Sequence, residues 1–223
     1  MKPTLTRRIV AEFTGTLFLL AAVVGSGIMG ERLAAGNVAL ALLANSIATG
    51  AALVAIILAF GPISGAHLNP VVTLADALQG GIPWRQTPVY LAAQMAGAFA
   101  GVATAHLMFG FPLFTASTHI RSGPGQLFSE FVATFGLLSV IWGCVRYRAS
   151  AVPYAVGAYI TAAYWFTSST SFANPAVTIA RSMTNTFAGI RPADVAGFIL
   201  AQVAGAFAAT MLFRWLNSQP KRS

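Results

Sequence analysis

Three runs in the first half of this chain return, in the same order, in its second half. Glu12-Phe13 with Thr16 and Leu19-Leu20 recurs as Glu130-Phe131 with Thr134 and Leu137-Leu138. The run N-P-V-V-T-L-A from Asn69 recurs as N-P-A-V-T-I-A from Asn174, and Q-M-A-G-A-F-A from Gln94 recurs as Q-V-A-G-A-F-A from Gln202. Three matches in one order mark a duplication, with repeat 1 over about 1–109 and repeat 2 over about 125–217 of one domain, 1–223. Apolar segments predict helices near 8–30, 38–61, 86–109, 126–146, 151–169 and 195–216, three in each repeat. An odd number of crossings turns the second repeat upside down relative to the first. The expected fold is an all-α membrane protein with six transmembrane helices and inverted repeats.

Composition agrees about the solvent. Of 223 residues, 57% are hydrophobic and only 8% charged, too few polar groups to cover a soluble globule. A hydrocarbon core of about 30 Å asks for about 20 apolar residues per helix, so six crossings and short loops use the whole length. The partner is therefore a lipid bilayer. A net charge of +8 raises nucleic acid as another partner, but the basic residues form no stripe and are read as topology signals. Lys2, Arg7 and Arg8 before an apolar run resemble a secretory signal peptide. Glu12 inside the run, and its return in mid-chain, favour a retained first helix. The single cysteine, Cys144, excludes an internal disulfide framework and a cysteine metal cage, and is read as a small helix residue. No cofactor or metal site is expected.

Between the second and third helices, and again between the fifth and sixth, lie segments opening with Asn-Pro that are too short to span. Proline at a first helical position sacrifices no hydrogen bond and the preceding asparagine can cap, so Asn69-Pro70 and Asn174-Pro175 predict two re-entrant half-helices entering from opposite faces. Lysine and arginine set the orientation. With both termini on one side, that side holds Lys2, Arg7, Arg8, Arg85, Arg146, Arg148, Arg214, Lys221 and Arg222, and the other holds Arg32, Arg121, Arg181 and Arg191. Nine against four predicts cytoplasmic termini in a multi-pass inner-membrane protein.

G-A-H-L-N-P-V from Gly65 and S-F-A-N-P-A from Ser171 resemble the paired Asn-Pro-Ala loops of the aquaporin and aquaglyceroporin family, and the resemblance covers nearly the whole chain. It implies a passive channel for small uncharged solutes, assembled as a homotetramer, with Asn69, Pro70, Val71, Asn174, Pro175 and Ala176 at the pore centre. Physics supports the same mechanism. Two half-helices meeting at the midplane place two positive dipole ends there, and asparagine amides can donate to a passing oxygen. Irregular backbone at this depth is tolerated where it lines a wet cavity, so carbonyls of Gly65, Ala66 and His67, and of Thr170, Ser171 and Phe172, are expected to form an acceptor ladder. His67 is read either as a pH switch or, preferably, as a brace for its loop. Glu12 and Glu130, ionisable groups inside spans, are read either as a proton relay or, because they are symmetric, as acceptors for loop N–H groups. The resemblance implies the second role, with Gln94 and Gln202 as further polar braces.

The resemblance also implies an outer constriction at Thr49, Ala162, Ser171 and Val177. Water-selective relatives usually carry an aromatic residue, histidine and arginine at three of these positions. Here Val177 stands where the arginine is usual, which predicts a wider pore admitting glycerol as well as water. The run F-A-N-P-A-V-T-I-A-R-S resembles bacterial aquaglyceroporin-like proteins, some of them linked with arsenic resistance. Neutral As(OH)3 and methylated arsenicals therefore join the candidates. Arg181, one turn after Val177, is expected in the outer vestibule, the other reading being that it partly replaces the lost charge. The rivals are a strictly water-selective channel and a secondary transporter, which needs a coupling site beyond Glu12 and Glu130. An enzyme is not expected, because the sequence holds no nucleophile with a base, no H-E-x-x-H and no phosphate loop.

Overall fold

The structure, a computed structural model, describes residues 3–218; Lys2, Lys221 and Arg222, counted above in the charge balance, lie outside them. Its helices are α1 (Leu5–Leu33), α2 (Val38–Ser64), α3 (Pro70–Leu78), α4 (Thr87–Phe109), α5 (Pro124–Tyr147), α6 (Val152–Phe166), α7 (Pro175–Arg181) and α8 (Val195–Leu216), with no strand among the described residues. Five of them, α1, α2, α4, α5 and α8, are long and apolar enough to cross a membrane.

The sixth crossing is shorter than its sequence predicts. α6 has 15 residues, about 22 Å of helix, preceded by a 3-10 turn over Ala149–Ala151. Its predicted end at 169 recedes to Phe166, and the physical reason is the hydroxyl run from Thr167 to Ser171. Ser and Thr side chains offer the backbone partners outside the helix. Thr167 is extended, the Ser168 N–H donates to Ser129 Oγ at 3.1 Å, and the Gln126 side chain donates to the Ser168 carbonyl at 2.8 Å.

The other boundaries follow local chemistry. Thr4 and Asn37 cap α1 and α2 by accepting from the N–H groups of Arg7 and Leu40. α2 stops at Gly65, which takes a left-handed φ of 92° that glycine adopts without strain.

Each repeat packs its first helix on its last. α1 lies along α4 and α5 along α8, and α2 crosses α6 between the halves. Close approach explains the repeated glycine: a Cβ on Gly97 would overlap the Phe13 carbonyl, and one on Gly205 would overlap the Phe131 carbonyl. Outward faces stay apolar, with Leu33, Leu107, Leu200 and Phe207 exposed, a surface suited to lipid rather than water. The chain is an integral, multi-pass membrane protein.

Candidate pore

Asn69 and Asn174 sit just ahead of α3 and α7, and their side chains face two ways. Asn69 Oδ1 accepts from the Val71 N–H at 3.1 Å, and Asn174 Oδ1 accepts from Ala176 and Val177 at 3.0 and 3.3 Å. Capping fixes each amide, since the oxygen must point at the helix. Each Nδ2 then donates across the repeat boundary: Asn69 to the Ala173 carbonyl and Asn174 to the Leu68 carbonyl, both at 2.8 Å. An amide nitrogen carries two hydrogens, so each asparagine keeps one donor for the cavity that both line. Pro70, Val71, Pro175 and Ala176 are buried at the joint between the half-helices and do not line that cavity.

Behind each half-helix stands a buried carboxylate. Glu12 accepts from the His67 and Leu68 N–H groups at 3.0 and 2.8 Å, from Ser64 Oγ at 2.6 Å and from Gln94 Nε2 at 2.8 Å. Glu130 accepts from the Phe172 and Ala173 N–H groups at 2.9 Å each and from Gln202 Nε2 at 2.6 Å. Gln94 and Gln202 also donate to Thr73 and Thr178 on the half-helices, at 2.8 and 2.9 Å. The loop backbone matches too. Gly65, Ala66 and Leu68 have positive φ, as do Thr170, Ser171 and Ala173, at equivalent places before the two asparagines. Five of these six carry a side chain, and left-handed backbone outside glycine is strained. The four or three donors converging on each carboxylate offset that strain and hold the loop open.

The cavity has a volume of about 480 Å³ and runs from Arg8 and Gly81 on the terminal face to Tyr164 and Arg181 on the opposite side. One wall is polar, made by Ser64 to Asn69 and Ser171 to Asn174; the other is apolar, including Leu53, Ile57, Leu137, Ile141, Val156 and Ile160. Such a bore gives a solute oxygen partners along one side only.

Three of the four predicted filter positions, Thr49, Ser171 and Val177, line the cavity. Ala162 does not, and this placement is corrected. Steps of about 100° along α6 put Tyr154, Ala158 and Ala162 on an exposed stripe and Val156, Ile160 and Tyr164 on the cavity side. Tyr164 stands opposite Thr49, its hydroxyl donating to Thr49 Oγ1 at 3.3 Å. Among the predicted wall residues, Gly65, Ala66, His67 and Phe172 line the cavity, while Thr170 does not. Arg121, from the connection between α4 and α5, covers that turn: it donates to the Ser169 carbonyl at 3.3 Å and lies 3.5 Å from Thr170 Oγ1. Burial lowers the Arg121 guanidinium from its usual value, and the Glu130 charge opposes that change.

Arg181 is the second correction. It is 2% exposed and lines the cavity instead of standing in the open vestibule. The chain after α7 folds back over it, so that Arg181 Nε donates to the Ala188 carbonyl and its guanidinium lies 3.4 Å from the Phe172 ring centre. At the other end, His67 is tied to Thr73 Oγ1 at 3.1 Å and lies 3.6 Å from Asp76, an arrangement that braces the loop on α3.

Against this geometry the model of the family described as Major intrinsic protein matches residues 1–171. The chain belongs to the major intrinsic protein family. It is 57% identical over 218 residues to aquaglyceroporin AqpS of Rhizobium meliloti (strain 1021), covering 98% of this chain and 93% of that protein. It is 34% identical to aquaporin NIP1-3 of Oryza sativa subsp. japonica, covering 92% of this chain and 73% of the other. The fold is shared with the X-ray structure of the aquaglyceroporin from Plasmodium falciparum, at a TM-score of 0.72 and 22% identity over 94% of this chain and 96% of that one. As a major intrinsic protein, the chain is a channel and not an enzyme.

Sequence reasoning missed Tyr164, Arg121 and the accepting carbonyls of Leu68 and Ala173. The four-residue spacing of Val156, Ile160 and Tyr164 was the available signal for the first. No sequence signal brings Arg121 to a turn 48 residues away.

Proposed function

We propose that the chain passes small uncharged solutes down their gradients, with water and glycerol as its ordinary cargo and As(OH)3 and methylated arsenicals within its range. The observation that carries this reading is the pair of asparagines. Each lines the cavity with its oxygen committed to a helix cap, one amide hydrogen on the opposite loop and one left over. A site that offers only donors holds a water or alcohol oxygen and gives a cation no ligand. The positive ends of α3 and α7 act the same way. Apolar residues opposite leave the solute's own hydrogens without partners there, which interrupts a continuous chain of hydrogen bonds for protons.

Val177 and Ser171 take little width from the outer part of the cavity, and this supports glycerol and hydroxides of similar size. The name of the relative AqpS, an aquaglyceroporin, points to the same class. The proposed site comprises Asn69 and Asn174 with their following residues, the loops from Gly65 and from Ser171, and the braces Glu12, Gln94, Glu130 and Gln202, in one channel domain made of two repeats. Arg7, Arg8, Arg85, Arg146, Arg148 and Arg214 on the terminal face outnumber Arg32, Arg121 and Arg191 on the other, supporting cytoplasmic termini in the cell's inner membrane. A homotetramer is the assembly proposed, by analogy with the family.

Stopped-flow light scattering on proteoliposomes tests the reading. Water and glycerol flux well above protein-free vesicles, with arsenite uptake in the same preparation, is the expected result. Water flux without glycerol would establish the strictly water-selective alternative.

A further inference from the structure

The outer part of the cavity contains a cation that has almost no protein partners. Arg181 follows Val177 by one helical turn, and a helical side chain leans back toward the N-terminus, so both reach the same stretch of cavity. A guanidinium carries five N–H donors. Among the described residues, Arg181 uses one, at Nε, on the Ala188 carbonyl. Its terminal nitrogens have no protein acceptor, and they are not among the sealed polar atoms of the interior. The described ion pairs are His67 with Asp76 and Arg191 with Asp194; neither involves Arg181. An unpaired charge in such surroundings needs oxygen from the cavity's contents.

The neighbouring groups fix the guanidinium. Phe172 supplies a ring face, its N–H is held by Glu130 at 2.9 Å, and its ring packs edge-on against Phe198 at 5.3 Å. Arg121 lies 5.1 Å from the same ring, but it does not line the cavity, and its Nε and one terminal nitrogen turn to the Gly189 and Ser169 carbonyls and Thr170. Glu130 is occupied by the loop and Gln202, and the Tyr164 hydroxyl by Thr49. Arg121 adds positive potential from outside the cavity lining. Arg181 brings its charge and its free donors into the cavity itself.

We propose that Arg181 is the charge-selecting residue of this pore: Val177 sets the width, and Arg181 supplies a fixed cation and donors for solute oxygens. This rests on the channel reading. Width and charge, which one filter arginine would fix together, are separated by a turn of α7. The pore therefore stays wide enough for a polyol while repelling potassium, ammonium and hydronium ions.

The test uses the full-length protein in proteoliposomes and planar bilayers. Arg181→Gln should raise potassium current at least about tenfold relative to the glycerol flux that the variant retains, because the fixed charge is gone. Arg181→Lys should exclude potassium at about pH 6 and leak at about pH 9, since a buried ammonium deprotonates where a guanidinium does not. Wild type should stay closed to potassium at both. Glycerol flux with no potassium current in either variant at either pH overturns the proposal. So does failure of both variants to reach the membrane, which would make Arg181 a brace for the 182–190 turn. If wild type itself passes no glycerol, the channel reading fails, an outcome distinct from these.

Discussion

Glu12 and Gln94, 82 residues apart in sequence, meet inside the molecule at 2.8 Å, and the same amide reaches on to Thr73 of α3. One carboxylate thus links α1, α4, the loop before Asn69 and the half-helix behind it. Glu12→Ala removes the acceptor for two loop N–H groups, and each buried group left without a partner costs about 1–3 kcal/mol. The variant should lose most of its membrane abundance and thermal stability, and whatever remains should show no proton-dependent flux. Thermal unfolding in detergent with flux at matched abundance checks this; full stability with proton-coupled uptake would make Glu12 a relay.

Asn69→Leu and Asn174→Leu each delete a helix cap, a bond to the opposite loop and a donor to the cavity. Glycerol flux should fall at least about tenfold in either one at matched abundance, because the two sites act in series. Flux unchanged in both would place the pore elsewhere.

Much of this pore was legible as pattern. The duplicated Asn-Pro runs located both half-helices, since a proline after a capping asparagine suits a first helical turn, where Pro70 and Pro175 stand. Glu12 and Glu130 were visible as carboxylates in apolar spans. Other features depended on geometry that spacing does not encode. Counting along the chain placed Ala162 at the constriction, but the helical rotation of the short α6 turns it to the outside and brings in Tyr164. Arg181 looked like a vestibule residue because nothing in the sequence shows the 182–190 turn closing over it. Arg121 reaches the site by tertiary contact alone.

That correction can be tested with two substitutions on one helix. Tyr164→Ala should widen the outer cavity and raise the flux of four- and five-carbon polyols relative to glycerol, by about threefold or more. Ala162→Trp, on the exposed stripe, should leave every solute ratio unchanged. A selectivity change in the second and none in the first would restore Ala162 to the wall.

Val177→Arg places a second guanidinium one turn from Arg181. It should narrow the cavity and reduce glycerol and arsenite flux more than water flux, with a penalty that grows with solute size. Stopped-flow measurements with membrane abundance in the same vesicles decide it; glycerol and arsenite passing as fast as in wild type through a folded variant would show that Val177 does not bound the narrow stretch.

The most direct test of passive conduction is glycerol entry into wild-type proteoliposomes, measured by light scattering over a range of glycerol gradients with and without imposed proton and sodium gradients. The account predicts a rate proportional to the glycerol gradient, unchanged by either ion gradient and lost with Asn174→Leu. Uphill accumulation driven by protons or sodium, or glycerol entry no faster than in protein-free vesicles, would contradict it.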